Sequence, residues 1–420
     1  MSLFGVIMKI LFYIGSNLVN AVGGAERVFC QMADALAARG HDIYAVCNDP
    51  RSGRPFYPLD EQVHFINLDG SGERPISKPA TWIKGLRPFL PSICKEMWDK
   101  HFEFPFYRKR GEPLVKLIRD LQPDVVLLFW LEDYFSILRQ PIPSNMLAVV
   151  VSHRSSAEEV TRLIDTRERR GIINTCPHFH VQLSSFLPEI QKTYDGRIHA
   201  IPNVVPQLEP KDLADLTVEK PQKTIVMVSR LCAEKQQHLV IESFKRLAED
   251  YPDWKVEFYG PHGRKKYLRQ LEKMITRLDL AGRVELKGIT ERPLEILRNG
   301  DIFAFPSLRE GFSNALTEAM AVGLPCVGLK TTPSVNELIV DGVNGFLAEN
   351  TPEDFAQKLN ILMDDQNLRV KMGNAGHEMM KVYAPEQIYD QWEKLLFDLT
   401  QSSQSPFLNN TANTTVRKAA

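Results

Sequence analysis

Residues 299–329 read NGDIFAFPSLREGFSNALTEAMAVGLPCVGL. The run Ile302–Phe305 is apolar without alternation, as befits a strand covered on both faces. A polar loop with Pro306 and Gly311 follows, then a helical pattern over Asn314–Val322, then a second apolar run at Cys326–Leu329. Strand, helix and strand in that order make a right-handed βαβ crossover, and with it a parallel sheet.

Working outward, the same alternation recurs on both sides. In the second half, strands are predicted at Thr224–Ser229, Lys255–Tyr259 and Val284–Lys287, with helices at Gln237–Ala248 and Tyr267–Leu278. The first half repeats the theme with strands at Lys9–Ile14, Asp42–Cys47, His64–Asn67, Val125–Trp130, Ala148–Ser152 and Ile198–Ile201. Helices at Ala25–Ala38 and Leu114–Leu121 lie among them. The predicted fold class is therefore α/β, with two Rossmann-like domains, each a doubly wound parallel sheet, facing across a cleft. The first domain is expected over 1–203, a polar, proline-bearing linker over 204–223, and the second domain over 224–384. Three helical stretches close the fold. The last, at 385–400, is expected to pack back on the first domain, and the Ser/Asn/Thr-rich tail 401–420 has the composition of a disordered segment.

Composition narrows the class of function. Of 420 residues, 44% are hydrophobic and 25% charged, and the formal net charge is -1, so no protein-wide basic field for nucleic acid exists. Cys30, Cys47, Cys94, Cys176, Cys232 and Cys326 lie far apart, which fits neither a zinc site nor a dense disulfide framework. Widely spaced free thiols point to a reducing, cytoplasmic home. The opening MSLFGVIMKILFYIG has its lysine, Lys9, in the middle and no small-residue cleavage site after it, so it does not read as a leader, and Met8–Gly15 is expected to be a buried first strand.

Candidate chemistry collects just after predicted strands, where open α/β sheets bind ligands. Glu310 precedes the helix after Ile302–Phe305, and Glu318 lies inside it. Two carboxylates so placed suit two sets of sugar hydroxyls. Ser313 is placed as the N-cap, leaving the following amides at the positive end of a helix for an anion such as a diphosphate. Gly311 allows close approach of the backbone. A helix-start glutamate and an ordinary surface glutamate explain the pair equally well on their own. Gly23-Gly24 after the first strand would let backbone meet a phosphate, and a flexible turn is the alternative. Arg230 and Lys235 offer a fork and a point charge to a diphosphate, where a solvated face is the alternative. His153 ends a predicted strand, a place that also suits a satisfied core histidine.

With these residues quoted, PSLREGFSNALTEAMAVGLP, holding Glu310-x(7)-Glu318, resembles the signature of retaining family-4 glycosyltransferases of the GT-B type. Gly23-Gly24-Ala25-Glu26, VVVSHRS around His153, Ile201–Val205 (IPNVV), Val228–Leu231 with Lys235, and Asn299–Ser307 fit the same family in order. The resemblance implies a nucleotide-sugar donor and a sugar acceptor. It further implies Glu318 on the ribose, and Glu310 and His153 at the transferred sugar. Arg230, Lys235, Gly23, Gly24, Gly311, Phe312, Ser313 and Asn314 would hold the diphosphate and sugar, and backbone near Lys287 and Ile289 the base. It implies transfer with retention, the leaving phosphate taking the acceptor proton. No Asp-x-Asp occurs, so no metal or other cofactor is expected. Where many relatives carry a glycine pair, this chain has Lys330-Thr-Thr-Pro-Ser-Val-Asn-Glu337, which leaves open the sugar or phosphate contacts of that loop. Between Lys78 and Arg110, eight basic residues against three acidic ones are mixed with seven aromatics. That mixture suits an anionic membrane surface and a glycan or polyprenyl-lipid-linked acceptor, or else an insert whose aromatics are core. A GT-B epimerase, a phosphorylase and a noncatalytic sugar-nucleotide-binding module remain as alternatives.

Overall fold

Apolar runs buried on both faces become the central strands of two parallel sheets. In the first, β1 (Lys9–Ile14), β2 (Asp42–Cys47), β3 (His64–Asn67), β4 (Val125–Leu128), β5 (Ala148–His153), β6 (His178–Val181) and β7 (Arg197–Ala200) run in the order β3-β2-β1-β4-β5-β6-β7. In the second, β8 (Lys223–Val228), β9 (Trp254–Tyr259), β10 (Val284–Gly288), β11 (Ile302–Phe305), β12 (Cys326–Leu329) and β13 (Gly345–Ala348) run β10-β9-β8-β11-β12-β13. Each sheet is α/β and doubly wound, as the sequence predicts. The computed structural model describes residues 3–15, 18–69, 90–137, 148–153, 156–176 and 178–401, the side chains of Ala148 and His153 excepted. The expected tail 402–420 lies outside them. The chain divides into two units, Met1–Ile201 with Ile388–Ala420, and Pro202–Gln387.

The sequence pattern missed two strands. β6 reads HFHV, and its histidines hide an interior strand. His180 is nonetheless buried, because its Nε2 lies 2.8 Å from the Ile201 carbonyl and its Nδ1 2.7 Å from the Ser152 hydroxyl. The carbonyl can only accept, so Nε2 carries the proton and Nδ1 accepts from Ser152. β13 is four residues long and opens on a glycine, too short to register as a pattern.

Residues 202–223 are part of the second unit. The Val205 amide donates to the Tyr383 carbonyl at 2.9 Å and the Ala214 amide to that of Val322 at 2.8 Å. The helix Pro385–Gln401 carries the chain back to the first unit, burying Ile388, Trp392 and Leu396 there. Arg39 Nη1 holds Asp390 at 2.6 Å and Glu393 at 2.8 Å, and the Leu3 amide donates to Glu393 at 2.6 Å. The rings of Phe4 and Phe397 stack at 4.4 Å, so residues ahead of Met8 are part of this packing.

In both sheets the strand order reverses once, between β1 and β4 and between β8 and β11. Loops leaving the carboxyl ends at such a switch point diverge and leave room for a ligand.

Candidate functional site

In the second unit, the loops after β8 and β11 flank the switch point, and they carry most of the residues singled out from sequence. After β8 comes Arg230, whose side chain is exposed and, among the described residues, makes no ion pair. A 3-10 turn, Ala233–Lys235, then delivers Lys235. Its ammonium pairs with the carboxylate of Glu310 from the β11 loop, and it also sits 5.8 Å from the Phe305 ring centroid. The two loops are further stitched by the Leu308 amide, which donates to the Glu234 carbonyl at 2.9 Å. Gln236, in the left-handed region at φ 52°, gives its side-chain amide to the Pro306 carbonyl and to Asn350 Oδ1, both at 3.0 Å.

Ser313 departs from expectation. It precedes the helix Asn314–Ala321 as its N-cap residue, but its side chain accepts nothing from the helix amides. Its backbone is left-handed (φ 34°), it is only 5% exposed, and among the described residues its hydroxyl has no hydrogen-bond partner. The first amides of that helix lack intrahelical acceptors by geometry and point out of its positive end. Phe312 packs edge-on against Tyr383, ring centroids 5.3 Å apart, and Asn314 Oδ1 accepts from Asn203 Nδ2 at 2.8 Å. Glu318 is buried on the same helix.

The segment that lacks the glycine pair has a structural task. Thr332 Oγ1 donates to the Ser307 carbonyl at 2.6 Å and Ser334 Oγ to that of Glu310 at 3.3 Å. Hydroxyls thus brace the Glu310 loop from behind, and Glu337 lies half-buried on the helix Pro333–Leu338. Lys287 and Ile289 sit apart from these loops in the sheet order, at the end of edge strand β10. Lys287 pairs with Glu285 at 2.7 Å and Glu257 at 3.6 Å, while Ile289 is 60% exposed.

In the first unit, Gly23 is extended and caps the helix Gly24–Ala38, where Glu26 folds back so closely that a Cβ on Gly23 would overlap its carboxylate. His153 is the last residue of β5, and its side chain lies outside the described residues. At the β1/β4 switch point the structure adds a group that sequence did not single out. Asp133 is buried, and its Oδ2 accepts from the Gly15 amide at 3.1 Å. Burial pushes its carboxyl up to about 8, against the lowering effect of that hydrogen bond. A Cβ on Gly15 would strike this carboxyl, so glycine lets it sit where it does.

The basic aromatic segment is partly core and partly exposed. Of its residues, 78–89 lie outside the described set. Trp98 is buried, and Phe104 and Tyr107 pack on Phe135 with centroids 5.8 and 5.7 Å apart. Two of its three acids are spent internally: Asp99 and Glu103 clamp the buried Arg169 at 2.7 and 2.6 Å. What faces outward is Ile93 (70% exposed), Met97 (58%) and Phe102 (52%), alongside exposed Lys100, Arg108 and Lys109. Arg110 instead donates to the Asn48 carbonyl at 3.0 Å and belongs to the fold.

Among the described residues, no helix is long and apolar enough to cross a membrane. Residues 209–379 match the family described as Glycosyl transferases group 1. An exopolysaccharide phosphotransferase of Streptomyces coelicolor is 27% identical over 405 residues, or 95% of this chain, which spans only 42% of that protein's length. The lipopolysaccharide core biosynthesis glycosyltransferase LpsE of Rhizobium meliloti is 25% identical over 379 residues, covering 89% of this chain and 96% of LpsE. The crystal structure of Anabaena Alr3699/HepE in complex with UDP and glucose superposes with a TM-score of 0.66 at 18% identity, covering 94% of this chain and 99% of that one. With its two parallel sheets and the switch-point loops of its second unit, the chain has the GT-B type of fold, and it is within that second unit that it matches the glycosyl transferases group 1.

Proposed function

We propose that this protein is a retaining glycosyltransferase of bacterial cell-surface polysaccharide biosynthesis, moving a sugar from a UDP- or GDP-linked donor to a glycan or polyprenyl-lipid-linked acceptor. The observation that carries this is the meeting of Lys235 with Glu310 just ahead of the amino end of the helix Asn314–Ala321. A cation and a helix amino end suit a diphosphate, and a carboxylate beside them suits the sugar attached to it. The HepE complex holds UDP and glucose, which favours a uridine donor.

In the proposed reaction the bond from the anomeric carbon to the phosphate oxygen breaks, and the diphosphate leaves with the electron pair. Arg230, Lys235 and the amides around Ser313 and Asn314 neutralise it. Positive charge at the anomeric carbon faces the Glu310 carboxylate. The acceptor hydroxyl adds on the same face, and its proton passes to the departing diphosphate. By resemblance, Glu318 is assigned to the ribose, backbone near Lys287 and Ile289 to the base, Gly23 and Gly24 to a phosphate, and His153 to the donor sugar. Cationic side chains and a helix terminus perform the role a metal ion would otherwise fill, so turnover is proposed to need none. The cytoplasmic face of the membrane is the proposed place of work, with the surface around Phe102 and Lys109 meeting anionic lipid.

The test is a panel of nucleotide-sugars incubated with the protein and read by mass spectrometry for hydrolysis or transfer. Turnover of one UDP- or GDP-sugar, undiminished by EDTA, is expected. No turnover of any such donor, together with no binding of UDP or GDP by calorimetry, would sink the proposal.

A further inference from the structure

The helix Lys265–Arg277, KKYLRQLEKMITR, is built from two unlike faces. One is anchored in the core of the second unit. Leu271 is buried, while Leu268, Met274 and Ile275 pack against the core cluster. Tyr267 joins them through its hydroxyl, 3.0 Å from His238 Nδ1. On the other face, Lys265, Lys266, Arg269, Lys273 and Arg277, with Arg264 just before the helix, are all exposed, and Glu272 is the one acid among them. Lys265, Arg269, Lys273 and Arg277 recur every fourth residue, so they form one row about 18 Å long.

Among the described residues, none of these six cations makes an ion pair. Elsewhere in the same unit, Lys223, Lys245, Lys255, Lys287 and Lys330 each face a carboxylate within 4 Å. Like charges four residues apart weaken a helix. The row therefore costs the fold something and gains nothing within it, which points to an anion outside the chain.

We propose that this face docks on the anionic phospholipid headgroups of a bilayer. Its exposed helix residues are lysine, arginine, glutamine, glutamate and threonine, with no apolar side chain to insert, so the contact is with headgroups alone and falls with salt. A straight, flat row of cations matches a planar anionic surface. Single-stranded nucleic acid is the weaker fit, because the one aromatic ring of the helix is turned inward on His238 and no stacking platform is left. The row starts beside the β8 loop, where the Gly263 amide donates to the Leu231 carbonyl at 3.1 Å, and runs from there along the helix; it belongs to the second unit, whereas the Phe102 patch belongs to the first. The row gives the second unit a membrane contact of its own.

The test is sedimentation of the full chain with vesicles of phosphatidylcholine alone, or mixed equally with phosphatidylglycerol. Arg108→Gln/Lys109→Gln serves as the background, to reduce the contribution of the other patch. Adding Lys265→Gln, Arg269→Gln, Lys273→Gln and Arg277→Gln should lower the partition coefficient on the mixed vesicles by about a hundred-fold or more. Thermal melting should show an unchanged or higher Tm, since repulsion is removed from the helix. Should the combined variant fail to fold, Arg269→Gln/Lys273→Gln alone should lower partitioning by about ten-fold or more. Undiminished partitioning in folded variants overturns the proposal, as does binding to a single-stranded oligonucleotide with none to vesicles. Donor hydrolysis measured without vesicles should be the same in all variants. Loss of vesicle binding and loss of turnover thus report on separate claims.

Discussion

Ser313 offers the sharpest test, because the free protein and the liganded one should respond to its loss in opposite directions. Its hydroxyl is buried without a partner among the described residues, in a residue 5% exposed. An unsatisfied buried hydroxyl costs about 1–3 kcal/mol of desolvation. Alanine keeps the same left-handed backbone burden at φ 34°, so the strain cancels in the comparison and only the hydroxyl is lost. No capping bond is lost with it, since the side chain makes none. Ser313→Ala should therefore stabilise the nucleotide-free protein by about 1–2 kcal/mol. In a unit of this size, that raises Tm by roughly 2–4 °C per kcal/mol. If the hydroxyl instead waits for the diphosphate or sugar, the variant should bind the donor about ten-fold or more weakly. Calorimetric melts with and without UDP-sugar, and titrations of the same samples, measure both quantities. A lower Tm without nucleotide, combined with unchanged donor affinity, would show that the hydroxyl serves the fold and not the ligand.

Arg230→Ala and Lys235→Ala should each weaken nucleoside-diphosphate binding by about 1.5–3 kcal/mol while leaving the fold intact, and unchanged affinity by calorimetry in both would remove them from the site. For Lys235→Ala the loss has a second part, since Glu310 is left without its cation. Glu310→Gln should lower kcat about ten-fold or more, because charge at the anomeric carbon develops only in the transition state. Glu318→Gln should instead raise the donor KM, and equal effects of both on kcat with none on KM would refute that division. Asp133 predicts a pH dependence. Its folded carboxyl is raised to about 8, so it holds a proton that the unfolded chain releases near pH 4. Stability should then fall as pH rises from about 4 to about 8, by about 1 kcal/mol per unit. Asp133→Asn should flatten that slope in urea titrations, and an unaltered slope would mean the carboxyl ionises normally.

The parallel sheets were legible because strands covered on both faces must be apolar throughout, as Ile302–Phe305 and Val125–Leu128 are. Legibility failed where tertiary contacts satisfied polar side chains. β6 is interior only because Ser152 and the Ile201 carbonyl take up both nitrogens of His180. The candidate site was visible as a set of loops following strands, but the pairing of Lys235 with Glu310 depends on β8 and β11 being neighbours, which sequence order does not state. Ser313 looked like an ordinary cap because its residue type says nothing of a left-handed backbone. Asp133 does not stand out in the sequence, since an acid near a helix start is normally solvated, and its burial against Gly15 is a property of the sheet. In the basic aromatic stretch, composition counted Asp99 and Glu103 against the positive charge. The fold hides both beneath Arg169.

The return of the last helix has a consequence for how the protein is made. Unit one is completed by Ile388, Trp392, Leu396 and the clamp of Arg39 on Asp390 and Glu393, contributed by residues some 350 positions after Arg39. While a ribosome adds the intervening residues 202–387 at about 5–20 residues per second, the nascent first unit waits for roughly 10–40 seconds with the apolar seat of that helix open. It emerges first and finishes last. During that interval the seat is a natural point of hold for a chaperone, and a chain stopped before Ile388 should leave an aggregation-prone first unit beside a second one able to complete its own core.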